Sequence, residues 1–183
     1  MAKASMHVAL LRGINVGGKH RLPMKQLVTI VEGLGASEVR TYIQSGNVLY
    51  RAPTSLAKRL PGQIAEAIEA EFGFAVPVLA RSARQFTTIL AANPYVDEAD
   101  DPKQLHVALI DPKPSKAARA RLDPDRSPPD RYTLGTGHIY LYCPKGVART
   151  KLTCDYFDRT LACTTTMRNW RTMTKLGELL RGS

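Results

Sequence analysis

The stretch His-Val-Ala-Leu-Leu at residues 7–11 shows no alternation of apolar and polar side chains. A strand with one wet face alternates; a strand that is apolar throughout is covered on both faces and lies inside a sheet. A polar, glycine-rich loop follows at once, and Pro23 is suited to open a helix. Met24, Leu27, Val28, Val31 and Leu34 then recur at helical spacing, with Gly35 placed to end the element. Residues 39–51 read as a hairpin turning at Gln44-Ser45-Gly46-Asn47. Alternation puts Val39, Thr41, Ile43, Val48 and Tyr50 on a core face, and Arg40, Tyr42, Leu49 and Arg51 on the other.

A helix is expected from about residue 61 to residue 72, on the stripe Ile64, Ile68 and Phe72. The strand at residues 74–81 contains Pro77, which cannot donate to a ladder and so requires an edge. The order is βαββαβ, and the fourth strand of that unit lies at an edge. A short helix at residues 82–92 leads into an acidic, proline-punctuated stretch, residues 93–103, which reads as a linker. The pattern then recurs. Strands are expected at residues 104–111, 131–135, 138–143 and 164–168, and helices at 113–122, 152–162 and 169–180. The expected fold is α+β: two ferredoxin-like βαββαβ halves, residues 1–92 and 104–183, packed together as a duplication, with a C-terminal helix. No sequence repeat is obvious.

Charge is distributed unevenly. Residues 1–60 hold nine Lys and Arg against two acids, residues 61–122 seven against eight, and residues 123–183 ten against six. Two basic ends around a neutral middle point to an anionic partner bound where the ends meet. Cys143, Cys154 and Cys163 are odd in number and lack CxxC spacing, which argues against a disulfide framework or a zinc site. His7, His20, His106 and His138 are scattered singly, so neither a metal nor a cofactor is expected. The N-terminal apolar stretch is short and runs into a charged loop, and no run approaches the ~20 apolar residues of a membrane helix. A cytoplasmic protein without membrane contact is expected.

Three motifs are able to carry chemistry. In Arg-Gly-Ile-Asn-Val-Gly-Gly-Lys-His-Arg, residues 12–21, Gly13, Gly17 and Gly18 permit positive φ and close approach of a ligand. Arg12, Lys19 and Arg21 supply charge, Asn15 a hydrogen bond, and the following helix a positive dipole end. Residues 13–19 also fit GxxxxGK, but His20 stands where a P-loop needs Ser or Thr, and a hairpin replaces the parallel sheet. An NTPase is therefore rejected. Gln44, Ser45 and Asn47 cluster at the hairpin tip, where plain turn chemistry also explains them. In the third motif Asn169 is placed to cap the last helix, Arg168 precedes it, and Thr172 and Lys175 lie in its first turns. Trp170 is either core or a stacking surface. Nucleophile signatures such as GxSxG are absent, and acids are scarce in the basic ends.

Residues 9–27, 34–50 and 166–176, with LLRGINVGG, TYIQSGN and TxRNWxTxxKL in that order, resemble the bacterial domain-of-unknown-function family 1697. The resemblance implies an α+β build with ferredoxin-like halves and no assigned reaction. It maps family motif positions onto Arg12, Gly13, Asn15, Gly18, Gln44, Ser45, Gly46, Asn47, Arg168, Asn169, Trp170, Thr172 and Lys175.

The functional expectation is a binding protein for nucleic acid, a nucleotide or another phosphate ligand, without catalysis. The alternative is an enzyme acting on a phosphorylated or nucleotide-like small molecule where the two halves meet. A third reading is a structural protein without a ligand. RNA binding on an open sheet face is disfavoured, because residues 7–11 carry no aromatic and residues 47–51 lack the Gly-Phe signature.

Overall fold

The computed structural model describes residues 4–182. It divides into two compact units. The first runs to Thr88 and resumes at Leu176; the second is Ile89–Lys175.

The first unit contains β1 (Ser5–Leu11), α1 (Met24–Gly33), β2 (Ser37–Tyr42), β3 (Asn47–Ala52), α2 (Thr54–Phe72) and β4 (Val78–Ser82). Its sheet is antiparallel in the order β2-β3-β1-β4, the ferredoxin-like arrangement. The apolar run predicts a covered central strand, and β1 is buried from Met6 to Leu11. Ala9, Leu11, Val48 and Tyr50 face Leu27 and Val31 of α1 and Leu60, Ile64 and Ile68 of α2 in one core. Strand β4 begins directly after Pro77 and lies at the edge.

The second unit repeats the plan with β5 (Leu105–Asp111), α4 (Lys116–Arg119), β6 (Arg131–Leu134), β7 (His138–Tyr142), α5 (Cys154–Leu161) and β8 (Thr164–Asn169), in the sheet order β6-β7-β5-β8. Its core gathers Ala108, Ile110, Ile139, Leu141, Cys143, Leu152, Phe157 and Leu161. The division between units falls within α3 (Ala83–Ala91) and within α6 (Trp170–Arg181). In residues 93–103, Asn93 and Tyr95 are buried. The Tyr95 ring stacks on Tyr142, its hydroxyl bonds Thr133 at 2.8 Å, and Arg131 lies over both rings and pairs with Glu98.

Three elements differ from expectation. Helix α2 starts at Thr54 rather than near residue 61, with Pro61 inside it. Proline in a helix interior costs about 3 kcal/mol. Burial of Ala57 and Leu60, before the proline, continues the apolar stripe and offsets that cost. Helix α4 has four residues instead of ten: Pro114 and the Ser115 cap put its start at Lys116, and it ends at Arg119. Ile43 is not on the core face: β2 ends at Tyr42, and Ile43 sits in the turn at φ +52°, 50% exposed.

The duplication is written in the register. The first strands share a tetrapeptide, His7-Val8-Ala9-Leu10 in β1 and His106-Val107-Ala108-Leu109 in β5. Leu10 faces Asn47, and Leu109 faces His138. Each partner follows a glycine of positive φ, Gly46 at +75° and Gly137 at +79°. The glycine carbonyls accept from Leu11 N at 2.8 Å and Ile110 N at 3.0 Å. On the other side Val8 faces Arg81 and His7 faces Ser82, while Val107 faces Arg168 and His106 faces Asn169.

His7 and His106, at equivalent positions, are both buried, and burial lowers the pKa of each below the ordinary 6.5. Below that value the unfolded chain binds protons that the folded chain resists. The contribution of the two histidines is therefore constant above about pH 7, and it falls as the pH drops through 6, by up to ~1.4 kcal/mol per pH unit for each histidine. Denaturant titrations across pH should show this slope, and His106→Leu should remove its share; an unchanged slope in the variant would refute the assignment. At Gly46 a methyl group would stand 2.7 Å from Leu11 Cβ and 2.8 Å from Ile14 Cδ1. Gly46→Ala combines left-handed strain with overpacking and should cost about 3 kcal/mol, readable as a lowered denaturation midpoint.

Candidate functional site

The residue 12–21 loop leaves β1 between two neighbours. Leu11 N donates to Gly46 O, and Arg12 N donates to Pro77 O at 3.0 Å. Ile14 and Leu22 are buried at its two ends and anchor it in the core of the first unit. Between them the chain folds back on itself. Lys19 N donates to Val16 O and Asn15 N to His20 O, both at 3.1 Å. Gly17 at φ +59° and Gly18 at +74° form the two-residue turn, the left-handed pair that twists with a hairpin. A Cβ on either glycine would meet nothing within 4 Å, so the demand on these positions is conformational.

Asn15 holds this miniature hairpin in place. Its Oδ1 accepts from Leu22 N at 2.9 Å, and its Nδ2 donates to Leu22 O at 3.0 Å and to Gln44 O at 2.9 Å. The first two motifs are thus one assembly, the loop pinned to the hairpin tip. Asn47 is fully buried, and its Nδ2 donates to Tyr42 O and Ser45 Oγ, each at 2.9 Å. His20, at φ +49°, donates from Nδ1 to Gly13 O at 3.0 Å. Its ring stacks on Phe74 with centroids 4.6 Å apart and planes 17° from parallel.

The side chains of Asn15, Ser45 and Asn47 are therefore used in building the assembly. Gly13, Gly17, Gly18, Lys19, Arg21 and Gln44 are exposed, whereas Arg12 and Ser45 are half-buried. Residues 4–31 carry Arg12, Lys19, Arg21 and Lys25 and no acid. Val16, beside the turn, is 67% exposed.

The third motif belongs to the second unit. Asn169 Oδ1 accepts from Thr172 N at 2.8 Å, the expected cap on α6. Thr172 and Met173 are buried, Trp170 is half-buried, and Arg171 and Lys175 are exposed. Arg168 Nη1 donates to Met167 O at 2.9 Å and to Thr166 Oγ1 at 3.2 Å. Burial pulls its pKa down to about 10, which leaves it charged at neutral pH. Arg12, Gly13, Asn15, Gly17, Gly18, Lys19, Arg21, Gln44, Ser45 and Asn47 thus come together in one unit, and Arg168, Asn169, Trp170, Thr172 and Lys175 in the other.

Two features escape a reading of the sequence. The first is the counterpart of the third motif: Arg81-Ser82-Ala83-Arg84 stands where Arg168-Asn169-Trp170-Arg171 stands in the second unit. Arg81 Nη1 donates to Ala80 O at 2.7 Å, as Arg168 does to Met167 O. Ser82 and Gln85 form a reciprocal cap on α3, with Gln85 N to Ser82 Oγ at 3.3 Å and Ser82 N to Gln85 Oε1 at 2.9 Å. That Ser-x-x-Gln spacing was the available signal. The second is the His20–Phe74 stack, which has no local signal. Among the described residues no group of three or more His, Cys, Asp or Glu side chains is placed to hold a metal ion, and no helix is long and apolar enough to cross a membrane. Burial pushes the Cys143 and Cys163 thiols up to about 11, away from the reactive thiolate.

Residues 5–140 match the model of a family described as a protein of unknown function, DUF1697. The chain belongs to the DUF1697 family. The matched residues include both motifs of the first unit and stop before Arg168. No curated protein matches the chain. Among solved structures, a DUF1697 chain of this fold is similar to the conserved bacterial protein SP0830 from Streptococcus pneumoniae. The TM-score is 0.72 at 21% identity, over 97% of this chain and 99% of that one. That likeness extends the shared fold through the C-terminal motif.

Asn15→Ala removes three hydrogen bonds and strands Leu22 N, and should cost about 2–3 kcal/mol. Amide exchange at Lys19 and Leu22, whose N–H groups donate to Val16 O and to Asn15 Oδ1, should quicken with it. Unchanged protection there would show that the Asn15 side chain does not hold the loop.

Proposed function

We propose that this protein binds phosphate-bearing ligands, nucleic acid foremost, without a chemical step, and that the Gly17-Gly18 turn with Lys19 and Arg21 is the principal contact. It acts in the cytoplasm. The observation that carries the reading is the pairing of a pinned backbone with unopposed charge. The turn is held by Asn15 and the His20 ring while Lys19 and Arg21 reach solvent, in a stretch without acids. A rigid basic loop contacts phosphate with little ordering cost on binding. Arg171 and Lys175, exposed in the first turns of α6, give the second unit a further phosphate contact. An enzyme acting on a small phosphorylated molecule draws less support, because Asn15 and Asn47, the polar groups best suited to orienting a substrate, are engaged in the fold.

Binding of a labelled oligonucleotide across a salt series tests this. Log affinity should fall linearly with log salt, by about 0.7–0.9 per phosphate neutralised. Lys19→Ala and Arg21→Ala should each weaken binding and reduce the slope by about one. Absence of binding to single- and double-stranded oligonucleotides at about 50 mM salt would refute the proposal, and so would slopes identical in wild type and variants.

A further inference from the structure

We infer that His20 is a base-stacking platform, so that the ligand of the glycine loop is a single-stranded nucleic acid with its bases free. The inference rests on the phosphate-binding reading above and adds to it what lies between the phosphates. An exposed histidine on a loop ordinarily keeps its rotamer freedom, and ordering a side chain costs free energy. Here the ring is ordered three times over. Its backbone is left-handed at φ +49°, its Nδ1 is tied to Gly13 O, and one ring face lies on Phe74. Phe74 in turn leans on Phe72 at 6.1 Å, and both pack against the core of the first unit. The column Phe72–Phe74–His20 therefore runs from the core outward and ends in an aromatic ring that is exposed although one face is covered. With one face on Phe74, the opposite face is the one assigned to a base.

Lys19 and Arg21 flank this ring in sequence, and both are exposed. A fixed π face between two cations matches the repeat of a single strand, in which a base alternates with charged phosphates. A duplex gives the cations their phosphates but offers the ring no base face, because its bases already stack on one another. Bases of every kind have a π face, so the contact tolerates sequence.

The test compares two ligands with the same charge, an oligothymidylate of about 15 nucleotides and an abasic phosphodiester of equal length, by fluorescence anisotropy. Wild type should bind the oligothymidylate roughly ten-fold more tightly. His20→Leu should bring its affinity down to that of the abasic strand. His20→Asn, which keeps a donor for Gly13 O but has no ring, should do the same, and His20→Phe should restore the preference. The salt slope should be equal in all four proteins, since the phosphates contacted are unchanged. Equal wild-type affinity for the two strands would overturn the stacking role while leaving phosphate binding intact, and so would a His20→Asn protein that keeps the preference. Binding of neither strand at low salt would remove both readings together.

Discussion

Gly46 lacks a side chain because Leu11 and Ile14 occupy the space where one would stand. The carbonyl of the same residue receives Leu11 N at the last step of β1. This one close approach fixes where the chain leaves the sheet, and the following loop is built from there. Ile14 enters the core beside the glycine, Asn15 is carried to the hairpin tip to bond Gln44 O, and Leu22 closes the return. A larger residue at position 46 would displace the foundation on which Lys19, His20 and Arg21 are presented. The loop is thus positioned by packing, and its charges are set on a frame that exists without any ligand.

Each half solves the same problem with the same backbone and different side chains. Gly137 repeats the positive φ and the carbonyl contact of Gly46, and His138 is buried where Asn47 is buried. Ser82 and Asn169 cap equivalent helices by different means, a reciprocal Ser–Gln pair in one and a single asparagine in the other. The first half has the glycine turn after its first strand. In the second, Asp111 leads through Pro112 and Pro114 to a short helix capped by Ser115. The fold is duplicated; the basic loop is not.

Much of this could be read from the residues. The apolar run at residues 7–11 locates a central strand, Pro77 places β4 at an edge, and the hairpin signal at Ser45-Gly46 is sound within a residue or two. Proline suits a helix start, but apolar burial on both sides of Pro61 carries α2 through it. Alternation puts Ile43 on the core face, but β2 ends at Tyr42. The basic, glycine-rich character of the loop was legible. The role of Asn15 was not, since its partner Gln44 lies beyond α1 and β2 and no local pattern links them. The stack of His20 on Phe74 was hidden for the same reason, with α2 between the two rings in sequence. Contacts of this kind are made by topology.

Arg40 Nη2 donates to Leu179 O at 2.8 Å, across 139 residues of chain. Both residues belong to the first unit. That unit is therefore discontinuous, and its contact with Leu179 waits until the whole of the second unit has been synthesised. Closing so long a loop is slow and adds to the entropic cost of folding. The first-made segment must hold β2 with that contact unmade while the second half is synthesised, and a chain that terminates early yields a first unit lacking the helix end that Arg40 secures.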